Sequence, residues 1–265
     1  MARQRLTSLQ GVGALVTGAS SGIGWLLSRR LAAGGARVAL VARREPELAA
    51  LASEITSSGG EALVLPCDVS DPEQVRAAAQ RARERLGAIE LLVNNAGYGG
   101  HRRFLDWDVR DIERVMRVNY LGAVYFTKAL LPDMVARGRG FTVFVSSVAG
   151  RIAPPEESAY AATKFALLGL AESLSLEVED AGVHVLTVLP GVIRTPFFDG
   201  MLERLSRVAR KSMVEPDGLV DAILAALAKG RREITYPRWL AVSFLARALA
   251  PGFLRSQVKR ATRTD

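Results

Sequence analysis

The chain of 265 residues carries a single cysteine, Cys67, and two histidines, His101 and His184. One thiol makes no disulfide within the chain, so no cross-linked scaffold holds the fold and a reducing compartment suffices. Cys67 ends an apolar run and reads as a small core residue. The histidines have no ligand partners near them in sequence, so no metal centre is expected. Long apolar runs are missing too. The segment from Trp239 to Leu254 is broken by Arg247 and Pro251 and falls short of the roughly 20 apolar residues that span a bilayer. Near Met1 the sequence Met-Ala-Arg-Gln-Arg-Leu reaches glycine and the first strand too soon for a signal peptide's apolar region. The expectation is a cytoplasmic protein. Internal repeats and low-complexity stretches are absent.

What is present is enough apolar content, 49%, for one large core. The net charge of +8 is uneven: from Lys229 to Asp265 there are nine basic residues against two acidic ones, which leaves the rest of the chain close to neutral. This asymmetry argues for a basic tail with its own partner and against a nucleic-acid-binding surface.

Short apolar runs alternate with helical patterns along most of the chain. Strands are expected at 12–17, 37–42, 61–66, 89–93, 143–145, 183–189 and 233–236, and helices at 23–33, 72–86 and about 109–135, with another from Ser158 onward. This order predicts a single-domain α/β fold of the Rossmann type, doubly wound, with a mostly parallel seven-stranded sheet and helices on both faces. Residues 1–236 are read as the catalytic domain, with a lid at about 195–213, and 237–265 as a basic, apolar extension.

The first strand runs into Thr17-Gly18-Ala19-Ser20-Ser21-Gly22-Ile23-Gly24 and then into a helix. Strand, glycine turn and helix in that order are the context that dinucleotide binding requires. Gly18 permits the tight turn, Gly22 lets the backbone approach a pyrophosphate, Gly24 allows close helix packing, and the helix start offers free N–H groups. The second strand ends in Ala42-Arg43-Arg44, without the acid that holds ribose hydroxyls in NAD-preferring folds. Arg43 and Arg44, with Ser20 and Ser21 as further donors, suit a 2′-phosphate instead. A solvated pair at a strand end is the other reading.

Tyr160 and Lys164 stand four apart on one helix face. A tyrosine hydroxyl is a poor base with its ordinary pKa of about 10, and a fixed ammonium one turn away favours the phenolate. Ser147 ends the preceding strand and is placed to hydrogen-bond the same substrate oxygen. Alone, Tyr-x-x-x-Lys is weak evidence. Together with the glycine turn, Asn94-Asn95-Ala96-Gly97, Asn119 and Pro190-Gly191, the chain resembles the short-chain dehydrogenase/reductase family over roughly residues 10 to 236.

That resemblance implies hydride transfer between a nicotinamide and a carbonyl or secondary alcohol; the Ala42-Arg43-Arg44 turn adds a preference for NADP(H) over NAD(H), and the lid at about 195–213 a hydrophobic substrate. The resemblance assigns proton exchange to Tyr160, pKa control and a ribose contact to Lys164, substrate orientation to Ser147, and a proton relay through a water on the freed backbone carbonyl to Asn119. It places Gly18, Ser20, Ser21, Gly22, Ile23 and Gly24 at the cofactor's phosphates, and Arg43 and Arg44 at its 2′-phosphate. Asp68 and Val69 belong at the adenine, although Asp68 also reads as a cap for the next helix, whose Ser70-Asp71-Pro72 start is a good signal by itself. Asn95, Ala96 and Gly97 line the cofactor, while Pro190, Gly191, Ile193 and Thr195 grip the carboxamide. The stretch from Pro196 to Met213, with Phe197, Phe198, Met201, Leu202 and Leu205 among Arg204, Arg207, Arg210 and Lys211, reads as an amphipathic lid.

Reduction of 3-oxoacyl groups on an acyl carrier protein is a competing reading, and a dinucleotide-sensing module without turnover a more distant one. A homodimer or homotetramer is implied by the family. For the tail, Trp239, Phe244, Leu245, Leu249, Phe253 and Leu254 among positive charges suit either an anionic membrane surface or a neighbouring subunit.

Overall fold

In the computed structural model, which describes residues 4–200 and 207–261, the seven expected strands form one sheet. They are β1 (Gly13–Thr17), β2 (Arg37–Ala42), β3 (Glu61–Pro66), β4 (Ile89–Asn94), β5 (Gly140–Val145), β6 (Val183–Pro190) and β7 (Glu233–Tyr236). Their order is β3-β2-β1-β4-β5-β6-β7, and every ladder is parallel, which sharpens the expectation of a mostly parallel sheet. Parallel strands need crossovers, and helices supply them: α1 (Gly22–Ala33), α2 (Glu45–Ser57), α3 (Pro72–Leu86), α4 (Val109–Met116), α5 (Gly122–Ala136), α6 (Ser158–Val178), α7 (Arg207–Lys211) and α8 (Pro216–Lys229). Two further helices, α9 (Ala241–Leu249) and α10 (Pro251–Ala261), follow β7.

Because side chains alternate along a strand, each strand feeds two cores. Ala14, Val16, Val38, Leu40, Val143 and Leu186 point into one layer with Leu27 and Leu31 of α1, Leu48 of α2 and Ile223 of α8. Leu15, Ala39, Val41, Leu92 and Phe144 point into the other, against Val75 and Ala82 of α3, Phe126 of α5 and Leu167 of α6. Helix α3 shows how the sequence dictates this. Its buried residues Val75, Ala78, Ala79, Ala82 and Leu86 recur at helical spacing, Pro72 opens its first turn, and Asp71 accepts from the N–H groups of Glu73 and Gln74. Such a cap contributes about 1 kcal/mol.

The strand order reverses between β1 and β4, so the loops leaving their carboxyl ends part and open a crevice. The loops after β1 to β6 all reach that edge. The long helix expected at 109–135 is present but has a π-helical turn, Arg117–Leu121, between α4 and α5. Asn119 sits in it, buried. A single π turn of this kind admits one extra residue per turn and often marks a functional position.

Candidate active site

The glycine turn after β1 is shaped by what it touches. Gly18 has φ +69°, and a Cβ there would lie 2.9 Å from Ala96 Cα and 2.8 Å from Asn95 Nδ2. A Cβ at Gly24 would come within 2.3 Å of the Gly18 carbonyl, so Gly24 packs α1 against the turn and does not itself face the crevice. Thr17, which sequence reasoning passed over, joins the two loops at the switch point. Its Oγ1 donates to the Val93 carbonyl at 3.2 Å and accepts from the N–H groups of Asn95 and Ala96, each at 3.0 Å. Asn95 Nδ2 donates to the Thr17 carbonyl at 2.9 Å. The only early signal for this role was a hydroxyl at a strand end.

A cavity of about 500 Å³ follows the carboxyl edge of the sheet. Gly18, Ser20, Ser21, Gly22 and Ile23 form its floor, and Arg43, Arg44, Asp68 and Val69 one end. Asn95, Ala96 and Gly97 form a middle wall, with Pro190, Gly191, Ile193 and Thr195 opposite. Ser147, Tyr160 and Lys164 close the other end. Of the residues expected here from sequence, Gly24 and Asn119 stand behind the wall.

At the first end, Arg44 donates to the hydroxyls of Ser20 and Ser21, both at 3.0 Å, and pairs with Glu47 at 3.3 Å. Arg43 lies exposed beside it. The two readings of Asp68 separate: Asp71 caps α3, while Asp68 turns into the cavity and accepts from Ser70 N at 2.9 Å and Ser70 Oγ at 2.7 Å. Burial alone would raise the Asp68 carboxyl, but those bonds and the nearby Arg43 and Arg114 bring it below the usual carboxylate range. Cys67 is buried at the same end, and burial, with Asp68 and Asp71, pushes its thiol up to about 12. It therefore stays a thiol.

At the other end α6 presents Tyr160 and Lys164. Lys164 is 4% exposed, its Nζ donates to the Val145 carbonyl at 3.0 Å, and it lies 5.5 Å from the centroid of the Tyr160 ring. Burial lowers its pKa from 10.5 to about 8. For Tyr160 the sequence-based expectation of a lowered pKa needs correction. Burial pushes the phenol well above its ordinary value, the Ser147 hydrogen bond pulls it back in part, and the nearby Glu157 raises it again. Ser147 also caps a short 3-10 turn, accepting from Ala149 N at 3.1 Å.

Asn119 acts here through its side chain. Nδ2 donates to the Tyr98 carbonyl at 2.8 Å and to Thr163 Oγ1 at 3.1 Å, while Oδ1 accepts from Tyr98 N at 3.0 Å. Thr163 in turn donates to the Tyr160 carbonyl at 2.7 Å. The loop after β4 and helix α6 are thus clamped together. Gly97 fits between them: a Cβ there would meet Asn119 Oδ1 at 3.2 Å and Lys164 Nζ at 3.6 Å.

A second cavity, about 190 Å³, adjoins the first. Gly99, Ser147, Tyr160, Gly191, Phe197 and Phe198 line both, so Tyr160 and Ser147 stand in the shared wall. The rest of its lining is mostly apolar, including Val148, Ile152, Pro154, Pro155 and Val192. The described residues of the lid expected over 196–213 fall in two pieces. A 3-10 turn, Pro196–Phe198, is followed by extended Asp199 and by Gly200 at φ +74°, and α7 begins at Arg207. Phe197 nonetheless packs on Tyr160, ring centroids 5.8 Å apart, and Ala209 reaches the smaller cavity. Met201, Leu202, Arg204 and Leu205 lie outside the described residues, as does Arg263 in the tail.

The tail returns to the same corner. Leu240 covers Gly191, where a Cβ would meet Leu240 Cδ1 at 2.5 Å, Arg151 lies over the Phe244 ring at 5.4 Å, and Arg247 over the Phe165 ring at 5.2 Å. Its outward side carries Trp239, Val242, Leu245, Leu249 and Phe253, 58 to 76% exposed. No helix among the described residues is long and apolar enough to cross a membrane, and none of their His, Cys, Asp and Glu side chains cluster as a metal site would require.

The donor set fits a dinucleotide: a glycine turn at a helix N-terminus, arginines and seryl hydroxyls at one end, and a tyrosine–lysine pair at the other. Comparison with known proteins agrees. The chain is similar to the oxidoreductase UcpA of Escherichia coli (strain K12), 39% identical over 222 residues that cover 83% of this chain and 80% of UcpA. Its fold is similar to that of a metagenomic short-chain oxidoreductase solved with NADP, with a TM-score of 0.73 and 32% identity over 85% of this chain and 96% of the other. It is also similar to a short chain dehydrogenase/reductase from Burkholderia phymatum solved with NAD, with a TM-score of 0.86 and 25% identity over 94% and 96% of the two chains. Residues 13–205 match the family model described as short chain dehydrogenase, and the chain belongs to that family of nicotinamide-dinucleotide oxidoreductases.

Proposed function

We propose that the protein reduces a carbonyl, or oxidises a secondary alcohol, of an apolar substrate with NADP(H) as its preferred partner. The observation that carries this is the shared wall: Ser147 and Tyr160 face the dinucleotide-sized cavity on one side and a small apolar cavity on the other. A carbonyl carbon held in the smaller cavity presents its oxygen to both hydroxyls. When bound, the dinucleotide supplies or accepts the hydride. Arg43, Arg44, Ser20 and Ser21 would hold its 2′-phosphate, the glycine turn its pyrophosphate, Asp68 and Val69 its adenine, and Pro190, Gly191, Ile193 and Thr195 its carboxamide.

The chain's own residues then handle one proton. Tyr160 gives it to the developing alkoxide, Ser147 stabilises the same oxygen by hydrogen bonding, and the Lys164 charge favours the resulting phenolate. General acid catalysis of this kind contributes about 10²- to 10⁴-fold. Asn119 and Thr163 keep Tyr160 aimed. A module that merely sensed the dinucleotide would have no use for a lysine buried at the expense of its own charge. A panel of ketones and secondary alcohols, assayed with NADPH and NADH and with Tyr160→Phe as control, tests the reading. Absence of any turnover dependent on Tyr160 would refute it.

Acyl carrier protein is the other donor of a carbonyl to consider, favoured by exposed Arg210 and Lys211 on α7 beside the smaller cavity. Purified 3-oxoacyl carrier protein, compared with the free thioester, separates that case. We also assign the tail to an anionic bilayer. Between residues 237 and 261 there are five basic residues and no acidic one. A second copy presenting the same face would set like charges opposite each other, whereas anionic lipid neutralises them. Assembly into a dimer or tetramer is carried by the family resemblance.

A further inference from the structure

Apart from Glu156 and the Ser147 and Tyr160 hydroxyls that it shares with the larger cavity, the polar side chains lining the smaller cavity are His101 and Glu157, whose Nε2 and Oε1 lie 3.0 Å apart with the side chains 12% and 17% exposed. Two loops bring them together, and each is tightly held. Arg102 N donates to the Glu156 carbonyl at 2.8 Å, tying one loop to the other, and the Arg102 guanidinium stacks 4.9 Å from the Trp107 ring centroid. Glu156 takes φ +65°, the one left-handed non-glycine conformation among the described residues. Backbone strain of this kind persists only where its surroundings over-determine it, and it gathers at binding sites.

Glu157 precedes the first turn of α6, yet its side chain makes no capping bond there. Its carboxylate faces the cavity instead, three positions before Tyr160 and close enough that its charge opposes ionisation of that tyrosine. A pocket for a neutral ketone has no need of this group. Taking a carboxylate out of water is unfavourable, and its charge works against the proton carrier beside it. A cationic ligand reverses both effects.

From this we propose that the smaller cavity selects ketones or secondary alcohols bearing a protonated amine a few bonds from the reacting carbon. Glu157 accepts from the ammonium, and His101 is a positioning residue that fixes the carboxylate. A carboxylate accepts about four hydrogen bonds, so the bond to His101 leaves room for the ligand. The same charge disfavours substrates with a carboxylate at that place. The inference rests on the oxidoreductase reading of the site.

The test sets 1-(dimethylamino)octan-2-one against octan-2-one on the full chain with NADPH, and separately measures octylamine and octan-1-ol binding by calorimetry with NADP present, which needs no turnover. Hydrogen bonds to charged groups imply a preference of about 10- to 100-fold for the amino ketone, expressed in KM, and a similar margin for octylamine. Glu157→Gln should bring both ratios close to parity, and His101→Gln should shrink them by less. Equal kcat/KM for the two ketones with equal binding of amine and alcohol overturns the proposal and leaves the oxidoreductase reading standing. So does Glu157→Gln lowering both ketones by the same factor, which marks the pair as structural. Preferential octylamine binding by a protein that turns over neither these ketones nor the wider panel of ketones and alcohols upholds the selectivity and removes the carbonyl reductase reading instead.

Discussion

Asn119 and Tyr98 exchange two hydrogen bonds, Tyr98 N donating to Oδ1 at 3.0 Å and Nδ2 to the Tyr98 carbonyl at 2.8 Å. The side chain thus replaces a strand partner for the loop after β4 while its second Nδ2 bond reaches α6 through Thr163. Asn119→Ala should leave the Tyr98 amide and carbonyl without these partners and destabilise the protein by about 1 to 3 kcal/mol. Urea unfolding measures this. Because the same loop lines the cavity, affinity for the dinucleotide should fall along with stability. A variant that unfolds as the parent does would show that the clamp is dispensable.

Removing only the phenol oxygen tests the proton carrier. Tyr160→Phe should lower kcat by about 10²-fold or more while dinucleotide affinity, read by fluorescence titration, stays within a few-fold of the parent. Lys164→Ala should weaken both, since the proposed role gives it a ribose contact as well as its charge. Turnover of the Tyr160→Phe protein within tenfold of the parent would remove the assignment.

Lys164 makes a pH dependence with a definite sign. Its pKa is about 8 in the folded protein and 10.5 as an ordinary lysine. Below pH 8 both states hold the proton, so the folded state bears the full cost of burying the charge. From pH 8 to 10.5 the unfolded chain binds more protons, and the group's penalty fades as pH rises. At about 1.4 kcal/mol per tenfold, that penalty is roughly 3 kcal/mol. Lys164→Met should therefore unfold at higher urea than the parent at pH 7, with the gap closing toward pH 10.5. Turnover of the parent should also decline above about pH 8, where the charge that favours the phenolate is lost. A gap that is constant across this range would contradict the burial effect.

The arginines at the end of β2 are unequal. Arg44 already holds the Ser20 and Ser21 hydroxyls and Glu47, so of the two arginines proposed to meet the 2′-phosphate Arg43 is the one without these ties. Arg43→Ala should shrink the ratio of NADPH to NADH affinity by about tenfold or more. Arg44→Ala should weaken both dinucleotides, because the serine-bearing turn loses its anchor. Equal affinity of the parent for NADH and NADPH would overturn the proposed preference.

Removing residues after Tyr236 should release the protein from anionic vesicles at low salt without abolishing its cooperative unfolding. Each near-surface basic residue contributes about 1 kcal/mol toward anionic lipid, and salt screens the effect. Parent protein that fails to sediment with such vesicles removes the membrane assignment, and a lower oligomeric state on truncation would give the tail to a subunit contact.

Much of this was legible in sequence where one physical signal acted alone. Strands β2, β3 and β7 and helix α3 fall at their expected limits, because continuous apolar runs, Asp71 and Pro72 punctuate the chain locally. The glycine turn, Ser147, Tyr160 and Lys164 were equally visible, being short motifs with fixed neighbours. The break in the lid was not legible, because its apolar spacing runs past Asp199 and Gly200, where the backbone leaves the 3-10 turn. The His101–Glu157 pair left no periodic trace, since two distant loops meet there only after folding. The upward push on Tyr160 was likewise hidden, because burial depends on the surroundings and not on the Lys164 spacing.

The division of the interior into two layers by the sheet has a mechanical consequence. The glycine turn after β1 leans on the layer of α1, α2 and α8, whereas Tyr160 and Lys164 ride on the layer of α3, α5 and α6. Damage to one layer should reach the other mainly through the strands. Loosened packing under α1 would thus weaken the grip on the dinucleotide before it disturbs proton exchange, and loosened packing under α6 would do the reverse. A ligand long enough to touch both ends of the crevice acts as a splint across two half-shells that can otherwise fail one at a time.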